Sequence, residues 1–145
     1  MKIDHIDSDI KTYGTYKTHP KSTTYYVQTR SSYLHREIME RMLGRPLNRS
    51  EKVDHIDGDG TNNCRSNLRV CSHAENLANR GGWRNSSSKY KGVTFYKRDG
   101  NWQAKVCPKG KTLHLGYYNS EAEAALAYNY AAKHHFGSFA KLNEV

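Results

Sequence analysis

The sequence predicts an α+β protein made of two small modules in series. Three observations predict it. Between residues 53 and 80, two short β-like runs flank a turn-rich loop and lead into a capped helix. From residue 90, three alternating runs separated by hairpin turns precede an alanine-rich helix. A chain of 145 residues has room for one or two small domains and not for a large core. The expected architecture is an N-terminal ββα module followed by a small three-stranded antiparallel sheet packed on one α-helix. The expected boundaries are 1–80 and 90–145, with a basic linker at 81–89.

Residues 1–19 are weakly patterned. Lys2-Ile3-Asp4-His5-Ile6-Asp7 echoes Lys52-Val53-Asp54-His55-Ile56-Asp57, but no counterpart of Asn67 or of the capped helix follows at the matching distance. The echo therefore reads as coincidence. Residues 23–29 (TTYYVQT) are β-branched and aromatic and read as a strand, with residues 11–16 as an antiparallel partner. Ser31 or Ser32 is expected to cap a helix running to Leu43. Leu34, Ile38, Met42 and Leu43 form its apolar stripe, and Gly44 with Pro46 stops it.

A strand-like run around Val53 and Ile56 meets Asp57-Gly58-Asp59-Gly60-Thr61-Asn62-Asn63, all turn formers. Asp57 and Asp59 resemble calcium-loop positions, but the twelfth place counted from Asp57 is Leu68, which has no carboxylate, so that reading fails. Leu68 and Val70 alternate with Arg69 and Cys71 as a second short strand. Ser72-His73-Ala74-Glu75 is a capping box that opens a helix. Ala74, Leu77 and Ala78 share one face of it, and His73, Asn76 and Arg80 share another. The polar face is expected to look back at Asp54 and His55.

Asp54-His55, then Asn67-Leu68-Arg69 opening the second strand, then Asn76 on the helix resemble the HNH endonucleases, in the His-Asn-Asn variant of phage and intron-encoded enzymes. The resemblance covers residues 33–80. It departs from many members in placing Asn76 where they carry a final His. It implies a ββα-metal nuclease in which Asp54 and Asn76 hold Mg²⁺ or Mn²⁺, with His73 as the alternative to Asn76. Carboxylate and amide oxygens are hard ligands, and Mg²⁺ takes one or two of them beside water and phosphate. His55 is the expected general base, because an imidazole accepts a proton near neutral pH. Asn67 is the expected brace that fixes the orientation of His55. The Leu34-His35-Arg36 pattern opens a helix that the family packs beside this unit, which makes His35 a structural or phosphate-touching residue. One geometric demand follows. Neighbours on a regular strand point to opposite faces, so the strand must end or twist at Asp54-His55 for both to serve.

Residues 80–89 (RGGWRNSSSK) have linker composition, and Trp83 suits either a nucleic-acid groove or a domain core. Beyond them Val93-Thr94-Phe95-Tyr96, Trp102-Gln103-Ala104-Lys105-Val106 and Thr112-Leu113-His114-Leu115 are alternating runs. Asp99-Gly100-Asn101 and Pro108-Lys109-Gly110 supply the turns. Val93, Phe95, Trp102, Ala104, Val106, Leu113 and Leu115 fall on one face; Thr94, Tyr96, Gln103, Lys105, Thr112 and His114 fall on the other. Ser120-Glu121-Ala122-Glu123 is a second capping box, opening a helix that ends at Gly137. With Ser88-Lys89-Tyr90-Lys91-Gly92-Val93 before it and Ala140-Lys141-Leu142-Asn143 after it, this stretch is similar to the Apetala-type domain of plant ethylene-response factors. The resemblance implies that the polar sheet face enters the DNA major groove.

The net charge is +9, with 14 basic against 10 acidic residues up to Arg84 and 9 against 4 from Asn85 on. Both halves are basic, which points to a polyanionic partner. Arg69, Arg80, Arg84 and Lys91, with the six polar-face residues, are the expected DNA contacts. Cys64, Cys71 and Cys107 form no C-x-x-C pair, which argues against a disulfide framework and a zinc knuckle. No apolar run is long enough to span a membrane. The expected function is metal-dependent endonucleolytic hydrolysis of double-stranded DNA, by nicking, as monomer or homodimer with no protein partner implied. The resemblance places it in the bacterial cytoplasm, phage-encoded. The alternative is a DNA-binding regulator with a relic nuclease domain; an RNA-binding role is disfavoured for want of clustered exposed aromatics.

Overall fold

The computed structural model describes residues 1–17, 24–82 and 85–145. It is mixed α and β, with small antiparallel sheets, and divides into two compact units, Met1–Asn76 and Leu77–Val145. The division falls inside a helix, several residues ahead of the linker read from composition.

In the first unit β1 (Thr12–Tyr16) pairs antiparallel with β2 (Tyr26–Thr29). The helix α1 (Leu34–Leu43) follows, then β3 (Lys52–His55) pairing antiparallel with β4 (Leu68–Cys71), then α2 (His73–Asn79). The core is Val27, Leu34, Ile38, Met39, Val53 and Leu68, with Ile3, Ile10, Leu47 and Val70 packed against it. These are apolar positions of three strands and one helix face.

The start of α1 differs from expectation. Its N-cap is Tyr33, with no side-chain cap bond. Ser32 is already engaged: its N–H donates to Thr29 Oγ1 at 3.0 Å and its carbonyl accepts from Thr29 N at 3.0 Å. Ser31 Oγ is engaged elsewhere, donating to Glu37 Oε1 at 3.2 Å, and the helix begins at Leu34. Its end is as read, with Gly44 at φ 65°, a left-handed position that suits glycine. The box at α2 closes in both directions: Ser72 N donates to Glu75 Oε2 at 2.7 Å, and Glu75 N donates to Ser72 Oγ at 3.3 Å.

Residues 2–7, unassigned by pattern, are tied to the loop after β3. Lys2 N donates to Thr61 O at 2.9 Å, and Asn63 N donates to Lys2 O at 2.8 Å. Asp4 Oδ2 accepts from Arg65 N at 2.7 Å. Asp7, fully buried, takes two bonds from the Arg65 guanidinium, at 2.7 and 2.9 Å. The echo of the site sequence is thus a strap along the site loop.

In the second unit β5 (Val93–Tyr96), β6 (Asn101–Val106) and β7 (Leu113–Tyr118) form one antiparallel sheet in that order. The helix α3 (Glu121–Phe136) packs on it through Ala124, Ala125, Tyr128 and Ala132, against Val93, Ala104 and Val106. Small residues let the helix approach closely, and Gly92 marks the closest point. At φ 75° it lies where an added Cβ would run into the Tyr128 ring and the Lys105 carbonyl. Ser120 Oγ caps α3 from Glu123 N at 3.1 Å.

The third strand begins at Leu113 and runs to Tyr118, so Thr112 lies just outside it. Its ladder to β6 contains a bulge: Ala104 faces Gly116 and Lys105 faces His114, leaving Leu115 as the extra residue. Alternation therefore inverts along β7. Tyr117 faces Gln103 on the polar side, and Tyr118 faces Trp102 on the core side.

Candidate active site

His55 is the last residue of β3, and Gly58 N bonds its carbonyl at 2.9 Å as the chain turns away. β3 keeps regular register through it, with Asp54 opposite Arg69 and His55 opposite Leu68. The imidazole is buried at 5% exposure. Its ring lies 5.0 Å from that of His35 and 5.9 Å from that of Tyr26, centroid to centroid. His35 in turn stacks on Tyr33 at 5.7 Å. The Nε2 of His55 meets Asn63 Oδ1 at 3.3 Å. Burial pushes the His55 pKa down, opposed by the Asn63 bond and by the charges of Asp57, Asp54 and Asp59. His35 is driven much lower, to about 3, first by burial and then by the neighbouring His55 and Arg36 charges. It is buried among the rings of Tyr26, Tyr33 and His55.

Asn67 closes the loop. Its Oδ1 accepts from Asp57 N at 3.1 Å, and its Nδ2 donates to Asp57 Oδ1 at 2.9 Å and to Asn62 O at 2.8 Å. Its carbonyl accepts from Ile56 N at 2.9 Å. Two residues on either side of the turn are thereby held by one amide side chain. Asp59 Oδ1 accepts from Thr61 N and Oγ1 at 2.9 and 2.8 Å, so the acidic loop satisfies itself.

Asp54 is buried and ion-paired with Arg69, whose Nε and second terminal nitrogen lie 2.9 and 2.8 Å from Oδ2. The guanidinium is itself mostly covered, with the side chain 17% exposed. Asn76 sits half-buried in α2, its N–H bonded to Ser72 O at 3.0 Å, and His73 is exposed at the first position of that helix. Among the described residues no group of three or more His, Cys, Asp or Glu side chains is placed to hold a metal. Asp54 and Asn76, one carboxylate and one amide, are hard oxygen donors, and that chemistry fits an ion that takes one or two protein ligands.

In the second unit the polar sheet face carries Thr94, Tyr96, Gln103, Lys105 and His114, with Thr112 exposed beside it. Tyr117 joins them. Gln103 Nε2 donates to its hydroxyl at 2.9 Å, and its ring lies 5.6 Å from that of Tyr96. The Arg98 guanidinium sits 5.5 Å over Tyr96. Strict alternation hides Tyr117; the positive φ of 127° at Gly116, next to it, accompanies the bulge that turns it out.

Lys91 is not displayed on this surface. Its ammonium donates to the carbonyls of Ala78 and Arg80, both at 2.5 Å, and of Leu77 at 3.3 Å. Burial, with the Arg80 and Lys141 charges, lowers its pKa to about 8. It adds a cationic donor to carbonyls at the end of α2, of which Leu77 O also accepts from Arg80 N at 3.3 Å and Ala78 O from Lys141 N at 3.2 Å. Arg80 is exposed, and Arg84 and Trp83 lie outside the described residues. Among the described residues no helix is long and apolar enough to cross a membrane.

Residues 32–78 match the family model described as HNH endonuclease. An uncharacterised HNH endonuclease of Acanthamoeba polyphaga mimivirus is 34% identical over 112 residues, covering 77% of this chain and 57% of its own length. An AP2-like ethylene-responsive transcription factor of Arabidopsis thaliana is 42% identical over 66 residues, 46% of this chain and 14% of that protein. A dehydration-responsive element-binding protein of the same plant is 38% identical over 90 residues, 61% of this chain and 26% of that protein. No solved structure matches. The chain spans little more than half of the viral relative and smaller parts of the plant ones. It thus joins a segment of HNH endonuclease type, residues 32–78, to a C-terminal part similar to AP2-type transcription factors.

Proposed function

We propose that the protein is a divalent-metal-dependent endonuclease that hydrolyses phosphodiester bonds of double-stranded DNA, nicking one strand, of the kind carried by phages and mobile elements. The observation that most supports it is the buried His55 imidazole, bonded by Asn63 and walled by His35 and Tyr26, on the strand that also carries Asp54. Burial keeps that imidazole neutral near neutral pH, the form that takes a proton from water. Asn67 holds the turn that follows, so the ring and its loop keep one geometry. Asp54 and Asn76 are the oxygen donors for Mg²⁺ or Mn²⁺, with His73 the alternative to Asn76. Bound there, the ion would supply charge neutralisation at the phosphoryl group and leaving oxygen.

The polar sheet face, from Thr94 through Tyr96, Gln103, Lys105, Thr112 and His114, is the DNA-binding surface, and Arg80 adds a phosphate contact. Arg84 belongs to the same set by sequence. Arg69 and Lys91 are given holding roles, because their donors are engaged by Asp54 and by backbone carbonyls. The modules are those read from the sequence, 1–80 and 90–145 around a basic linker. One site per chain means one nick per binding event; a double-strand break requires two chains.

Supercoiled plasmid with Mg²⁺ or Mn²⁺ should become open circle, and chelator should stop the conversion. His55→Ala should stop it while leaving DNA binding intact. A regulator with a relic nuclease half is the second reading, favoured by the Arg69 guanidinium that occupies Asp54. Protein that shifts duplex DNA yet leaves plasmid uncut with either metal would establish it.

A further inference from the structure

Asn63 lies in a run of turn formers and reads from sequence as a turn residue. In the structure it is fully buried, beside the one imidazole the proposed chemistry needs. Its amide has two ends. One nitrogen-or-oxygen position faces His55 Nε2 at 3.3 Å, and the other faces the Gly60 carbonyl at 3.5 Å. The Gly60 carbonyl only accepts, so the end towards it must be the NH₂ group; the reverse would set two acceptors against each other in a buried place. Oδ1 is then the atom facing His55. A carboxamide oxygen also only accepts, so His55 Nε2 must carry a hydrogen. In a neutral imidazole the lone pair then resides on Nδ1.

We infer that Asn63 is a positioning residue that locks His55 in the Nε2–H tautomer and so makes Nδ1 the nitrogen that takes the proton. The amide is itself held from outside the loop. Asn63 N donates to the Lys2 carbonyl at 2.8 Å, and Lys2 N donates back to Thr61 O at 2.9 Å. The strap along residues 2–7 thus sets where Asn63 stands, and Asn63 sets the tautomer. The proton-accepting role of Nδ1 rests on the nuclease reading; the tautomer assignment rests on the hydrogen bonds alone.

The test is long-range ¹⁵N–¹H correlation of the histidine rings in metal-free protein above neutral pH, with His55→Ala to assign the signals. Wild-type His55 should show the Nε2–H pattern. An Nδ1–H pattern in the wild type overturns the inference, whatever any variant does. Asn63→Ala should release the ring to a mixture of tautomers and lower kcat about ten- to a hundredfold with KM little changed. A variant that keeps the wild-type ring pattern and rate also overturns it. Wild-type protein that shows the Nε2–H pattern yet never cuts DNA overturns the nuclease reading and with it the role of Nδ1, while the lock by Asn63 stands.

Discussion

Asp54 and Arg69 face each other directly across the β3–β4 ladder, and the guanidinium donates twice to the same carboxylate oxygen. Both side chains are largely withdrawn from water, so the pair carries a desolvation cost that their mutual contact helps to offset. Arg69→Met leaves a buried carboxylate without that partner and should destabilise the protein by about 3 kcal/mol. Asp54→Asn in the same chain should recover much of the loss. Urea unfolding of the two variants beside the wild type checks this.

Acid should weaken the first unit before its carboxylates titrate. His35 has its pKa lowered to about 3 by burial, against an ordinary value near 6.5. Between those values the unfolded chain binds a proton that the folded one refuses, so stability falls as pH drops below about 6.5. At pH 5 the loss from this residue is about 2 kcal/mol, and His55 adds to it in the same direction. His35→Phe should flatten the slope of melting temperature between pH 7.5 and 5.

Lysines that look alike in sequence should behave differently on DNA. Lys105→Ala removes an exposed cation from the sheet face and should reduce the slope of log affinity against log salt by about one. Lys91→Ala should leave that slope nearly unchanged and instead cost about 1–2 kcal/mol of stability, since its ammonium serves three carbonyls. Fluorescence anisotropy at several salt concentrations separates the two.

Tyr117 should matter for duplex binding although alternation assigns it to the core. Tyr117→Ala removes both its exposed ring and the hydroxyl that fixes Gln103, and affinity should fall about tenfold. Tyr118→Ala, one residue on, should act on melting temperature because that ring packs on the apolar face. Gel shift and thermal melts on the same two proteins distinguish these effects.

Gly92→Ala should prevent the second unit from folding. The position combines a left-handed backbone with contact to the Tyr128 ring and the Lys105 carbonyl, and neither a ring edge in a helix core nor a strand carbonyl can withdraw. Loss of far-UV helix signal and of a cooperative melt is the expected outcome.

The elements that sequence showed well are those whose signal is local. Ser72 with Glu75, and Ser120 before Glu123, cap α2 and α3 where their spacing says, and the paired runs at Thr12–Tyr16 and Tyr26–Thr29 form a ladder. The Asn67 contacts with Asp57 likewise lie within one loop. What sequence missed depends on partners distant in the chain. Asp7 and Arg65 stand 58 positions apart, and no periodicity connects them. Lys91 reads as one more surface cation until the carbonyls it serves are seen. Ser31 and Ser32 look like caps, but Ser31 Oγ donates to Glu37 and the N–H of Ser32 to Thr29.

Leu115 is the one position in the three-stranded sheet where the ladder holds a residue with no counterpart on its neighbour. Removing it would leave the strand evenly spaced with every flanking side chain on its present side. Losing or gaining a residue elsewhere in the paired stretch would evert everything beyond it, sending Tyr117 inward and Tyr118 out. The length of this strand can therefore drift at a single point, and natural or engineered indels that preserve the polar face have to fall there.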